Sequence, residues 1–82
     1  MRDILAEIRE RLSSEHPELR YTIKDRTITV NTRTADGFDV SLTDGGGFTV
    51  GYGGGWHEHL ISQDDAMACF WYQTCRGVNL LR

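Results

Sequence analysis

From Tyr21 to Tyr52 the apolar residues of this chain recur at every second position, in short runs separated by turn-forming residues. A period of two places alternate side chains on opposite faces of an extended strand, so each run describes a strand with one face buried. In Tyr21-Thr22-Ile23-Lys24 the apolar positions are odd-numbered, and in Thr27-Ile28-Thr29-Val30-Asn31 they are even. A two-residue connection at Asp25-Arg26 reconciles the two. It sets Ile23 opposite Ile28 and Tyr21 opposite Val30, and all four then share one face. Ala35-Asp36-Gly37 predicts a second turn, Phe38, Val40 and Leu42 a third strand, and Asp44 to Gly47 a third turn. Phe48, Val50 and Tyr52 give a fourth strand.

Helical spacing flanks this region on both sides. Ile4, Leu5, Ile8 and Leu12 form one apolar stripe, with Asp3 as cap or first-turn acid. Pro17 disfavours helical geometry at His16, which is expected to be a solvated loop residue. Ser62 to Asp65 has the form of a capping box, and Ala66, Met67, Phe70 and Trp71 make an arc able to cover a sheet. Gly77 reads as the stop of this second helix, with Val78 or Leu80 packing back against it. The expected fold is a single α+β domain over residues 1–82, in the order α-β-β-β-β-α. It is a two-layer sandwich, an antiparallel four-stranded meander with both helices on one face.

At 82 residues the chain is near the size at which one core is only just adequate. No apolar run approaches the ~20 residues of a membrane helix. The N-terminal residues are charged at every turn, unlike a secretory signal, so a cytoplasmic location is expected. Cys69 and Cys75 lie six residues apart in one helix. That spacing is ~9 Å along the axis, too far for a disulfide, so both read as reduced structural thiols.

The net charge of −3 is unevenly spread. Residues 1–33 carry seven basic and six acidic side chains, whereas from Thr34 to Cys75 there is no lysine or arginine. Asp36, Asp39, Asp44, Glu58, Asp64 and Asp65 make that stretch an acidic field, which repels phosphate backbones. Arg20, Lys24, Arg26 and Arg33 are the only nucleic-acid-like patch. The order helix, strands, helix echoes double-stranded RNA-binding domains. Those place lysines at the start of the last helix, where this chain has Asp64 and Asp65.

The chemistry-bearing residues concentrate in Gly53-Gly54-Gly55-Trp56-His57-Glu58-His59-Leu60. If the strand frame runs through Trp56, then Trp56, Glu58 and Leu60 face the core and His57 and His59 the polar side. Two imidazoles supply two ligands for a divalent metal. A third would have to come from Asp39, Asp44 or another acid. An inward Glu58 carries a desolvation cost, so the glycines are expected to break the frame and swing it outward. Gly51, Gly53 and Gly55 either open a groove beside the histidines or accommodate a bend.

The familiar motifs fail. A helical zinc-protease motif needs histidine at position 61, which is Ile61. A dinucleotide-binding glycine motif needs glycine at position 56, which is Trp56. No nucleophile constellation exists, so the reading leans away from an enzyme and assigns no cofactor.

The segment Gly55 to Leu60, with its acidic spacer and the Ala66–Cys75 helix, resembles a group of small bacterial proteins with a Gly-Trp-His-Glu-His-Phe signature. That group has no assigned activity, so the resemblance implies a hallmark at Gly55–His59 and no particular chemistry. Leu60 departs from the phenylalanine of the signature.

Three functions follow as expectations. The first is a small binding or interaction module, homodimeric or with a protein partner, using the sheet's polar face or surplus aromatics at Trp71 and Tyr72. The second is a ligand or metal site at Trp56, His57, Glu58 and His59, with His57 and His59 as metal ligands. The third is a nucleic-acid binder through the first hairpin.

Overall fold

The computed structural model describes residues 3–31, 37–53 and 55–77. Helix α1 (Ile4–Glu15) is followed by β1 (Arg20–Lys24), β2 (Thr27–Asn31), β3 (Val40–Asp44), β4 (Phe48–Tyr52), β5 (Trp56–Leu60) and helix α2 (Gln63–Gly77). The strands form one open antiparallel sheet in sequence order, β1-β2-β3-β4-β5. The expected four-stranded sandwich is thus corrected to an open five-stranded sheet with two helices. The fifth strand arises because the glycine run is a tight connection rather than the end of the pleat. Gly53 and Gly55 take φ of 65° and 112°, backbone states that side chains disfavour, and Tyr52 pairs directly with Trp56 across them.

The first hairpin has the anticipated register, Tyr21 opposite Val30 and Ile23 opposite Ile28. Its turn residues Asp25 and Arg26 both have positive φ, 52° and 62°, as a two-residue hairpin demands. Arg26 offsets that backbone cost with a fixed role. Its guanidinium grips Asp3 through two hydrogen bonds of 2.9 and 3.1 Å and also bonds Asp44. Asp3 is meanwhile the N-cap of α1, accepting from the Leu5 amide at 3.0 Å. One side chain therefore ties the start of α1 to the β1–β2 turn and to the end of β3.

The core is a single cluster. Ile4, Leu5, Ile8 and Leu12 of α1 and Ala66 and Phe70 of α2 meet Ile28, Val30, Val40, Leu42 and Val50, the alternate residues of the central strands. These strand residues share one face because each is paired directly with the next. Phe70 is fully buried and is among the largest side chains in the cluster.

One local expectation changes and one holds for an added reason. His16 is half-buried at the C-cap of α1, its ring 6.2 Å from that of Trp71, rather than solvated in a loop. Gly77 is the last residue of α2, and proximity explains it. A Cβ there would lie 2.5 Å from the Phe38 carbonyl oxygen, and the Phe38 amide donates to the Gly77 carbonyl at 2.9 Å. Val78, Leu80, Ala35 and Asp36 lie outside the described residues.

Candidate functional site

Strand β5 carries Trp56, His57, Glu58 and His59, all exposed, because it borders the sheet and only β4 pairs with it. The strand frame survives the glycine turn: Val50 faces Glu58, Gly51 faces His57, and Thr49 faces His59. The expected frame break does not occur. Glu58 points to the helix side, yet at the border of the sheet, where it accepts a hydrogen bond from the Cys69 thiol of α2 at 3.1 Å. A carboxylate in that position is exposed and partnered, so it avoids the cost of a buried charge. Burial, then the bond to Glu58 and its charge, push the Cys69 thiol up to about 11. The thiol is therefore a protonated donor at neutral pH, not a nucleophile.

On the opposite face His57 and His59 lie one strand repeat apart. Their rings are edge-to-face with centroids 5.0 Å apart. His57 Nδ1 is 3.4 Å from the Gly55 carbonyl oxygen, and His59 Nδ1 is 3.1 Å from the Thr49 hydroxyl. A carbonyl only accepts, so a proton on His57 Nδ1 suits that contact and leaves Nε2 as the free lone pair. Among the described residues no three His, Cys, Asp or Glu side chains converge to hold a metal. Asp44, one of the anticipated third ligands, is engaged by Arg26. Asp39 and His57 line the same depression of about 320 Å³ on the open face, floored in part by Gly51. The depression borders His57 but not His59, while Gly53 and Gly55 also serve the tight turn.

Of the two aromatics expected at an interface, Tyr72 is 62% exposed, whereas Trp71 is largely taken up inside the molecule. The Arg11 guanidinium lies 4.5 Å from the Trp71 ring centroid, and Phe70 packs edge-on at 5.2 Å. Helix α1 thus covers Trp71 with residues near its C-terminal end. Arg26, counted in the sequence with the nucleic-acid-facing cations, is held by Asp3 and Asp44.

Sequence reasoning missed three features: β5 itself, the Glu58–Cys69 contact, and a cleft between α2 and the β4–β5 hairpin. The alternation of Trp56, Glu58 and Leu60 carried the signal for β5, obscured by the glycines in front of it. Nothing in the linear order marked the cleft, whose walls come from residues as distant as Phe38 and Arg76. Among the described residues no helix is long and apolar enough to cross a membrane. Comparisons with protein-family models, curated proteins and solved structures gave no match to this chain.

Proposed function

We propose that this protein is an interaction module whose working part is the free edge of β5, which takes up an extended, basic segment of a partner polypeptide. The observation that carries the reading is a sheet edge without cationic protection. Trp56 through His59 are all exposed, Trp56 to 71%, and the neighbouring Ile61 to 95%. Sheet edges are ordinarily protected by lysine, proline, bulges or a covering element, because their unpaired N–H and C=O groups template further pairing. Strand β5 has no lysine, proline or bulge, and among the described residues no element covers it; Glu58 is its one charged protection. Added strands gain affinity from the backbone and specificity from alternate side chains. Here those alternate positions offer Trp56, Glu58 and Leu60 on one face and His57 and His59 on the other.

Charge selects the occupant. No lysine or arginine occurs from Thr34 to Cys75, and Glu58, Asp64 and Asp65 lie on β5 or in the first turn of α2. A second copy is the poorer fit. In the antiparallel register that overlaps all five residues, Glu58 would stand opposite its own counterpart, a destabilising like-charge pair. The test is calorimetric titration with a synthetic peptide alternating lysine and valine, beside a glutamate–valine peptide of the same length. The lysine peptide binds and the glutamate peptide does not. Equal binding of both, or of neither, ends the proposal, and sedimentation as a dimer without peptide redirects it to a second copy.

The paired imidazoles support a second reading, a transition-metal site using the Nε2 atoms of His57 and His59. Strands that project two histidines to one side supply part of a coordination sphere, and water or a partner residue completes it. Nickel or zinc then raises the melting temperature, and replacing both histidines by alanine removes the rise. An unchanged melting temperature with either ion eliminates the site.

A further inference from the structure

The cleft on the helix side of the β4–β5 hairpin has about 330 Å³ of space and is lined by Phe38, Tyr52, Gly53, Trp56, Gln73 and Arg76. Half of its lining residues are aromatic. Tyr52 pairs directly with Trp56, and the Phe38 ring lies 6.3 Å from that of Tyr52, tilted by 47°. All three aromatics line the cleft. At the mouth Trp56 is 71% exposed although its Cδ1 rests against Gly53, 3.3 Å from where a Cβ would stand. A tryptophan held in place yet uncovered is a surface suited to stacking.

Two polar groups complete the lining. Arg76 is the first cation in sequence after Arg33, and it makes no ion pair with any described residue. Its guanidinium sits 5.7 Å from the Tyr72 ring centroid. Gln73 is buried, and its Oε1 has no hydrogen-bond partner. Buried polar atoms are almost always satisfied, and an orphaned acceptor in the wall of a cleft calls for a donor. Turning the amide about its terminal torsion offers that acceptor to the cleft.

We propose that this cleft binds a small planar aromatic carboxylate that also carries a hydroxyl or N–H donor. The ring stacks on Trp56 and Tyr52, the carboxylate pairs with Arg76, and the donor meets Gln73. Small-molecule sites of this kind are concave and mostly apolar, with a few placed polar groups. The site uses side chains on the helix face and does not depend on strand addition to the backbone of β5.

The test is a titration of the isotopically labelled full chain with 4-hydroxybenzoate, with benzoate and 4-hydroxybenzamide as comparisons. It is read by the indole N–H signals of Trp56 and Trp71 and by the Gln73 side-chain amide. Saturable shifts are expected at Trp56 and Gln73 but not at Trp71, which lies under α1. Arg76→Ala weakens 4-hydroxybenzoate by about tenfold, the scale of one charge-assisted hydrogen bond, and leaves the neutral amide unchanged. Benzoate binds more weakly than 4-hydroxybenzoate in the native chain, and Gln73→Met removes that difference. Shifts confined to residues outside the cleft, no saturation by any of the three compounds, or an Arg76→Ala variant with native affinity would each overturn the proposal.

Discussion

The two borders of the sheet are built on opposite principles. Strand β1 begins with Arg20 and ends with Lys24, and Arg26 in the adjoining turn is locked to Asp3 and Asp44. Its apolar residues, Tyr21 and Ile23, lie between those cations, and Ile23 is 42% exposed. Strand β5 has the same length and the same single neighbour, yet carries no cation and leaves Trp56 far more open. Long cationic side chains discourage edge-to-edge pairing, so the proposal assigns strand addition to the second border and not to the first. Exposure alone does not mark an interaction surface. What separates the borders is their charge, cationic on β1 and anionic at Glu58 on β5.

The largest expected effect removes the platform under both borders. Phe70→Ala empties a fully buried site against the central strands and costs about 3–5 kcal/mol, checked by urea denaturation. It should weaken β1 and β5 alike, and a loss confined to one border would show that the two do not share a core. Next in size, Trp56→Lys gives β5 the protection that β1 has. Peptide uptake should be lost while stability changes by no more than about 0.5 kcal/mol, as for other surface substitutions.

The Arg26 clamp gives a pH signature for the defended border. Its guanidinium holds the Asp3 carboxyl below its ordinary value of 3.8, with the Leu5 amide adding to the effect. A carboxyl depressed in the folded state contributes stability that is complete above the unfolded value and is lost as pH falls through the folded one. Arg26→Ala should therefore lower the melting temperature at pH 7 and shrink the gap at pH 3. An equal loss at both values would assign the effect to packing rather than to charge.

The smallest effect concerns the other border. Glu58→Gln leaves the Cys69 thiol half-buried but removes the anion beside it, so its pKa falls from about 11 part of the way to the ordinary 9.0. Iodoacetamide labelling at pH 9 should quicken modestly. An unchanged rate would mean that Glu58 does not act on the thiol.

Much of this architecture was legible in the sequence. The alternation from Tyr21 to Tyr52 fixes which residues face inward, because a slip of one position would expose every buried side chain of a strand. The turn at Asp25-Arg26 follows from the change of parity between Ile23 and Ile28. The glycine run defeated the reading at β5. Glycine permits both a broken pleat and a tight reversal, and sequence alone does not separate them. Glu58 depended on that choice, and so did its partner Cys69, eleven residues away on another element. The cleft was invisible for a related reason, since Phe38, Tyr52 and Arg76 meet only after the sheet and α2 have assembled.

Backbone amide hydrogen exchange along both borders, with and without the lysine–valine peptide, tests the central claim most directly. In the free protein the outward amides of β1 and β5 should both exchange quickly, since neither has a second neighbour among the described residues. With peptide bound, alternate amides of β5 between Trp56 and Leu60 should become protected while those of β1 stay as they were. Protection of β1 instead, or of neither border at saturating peptide, would contradict the assignment of β5 as the interaction surface.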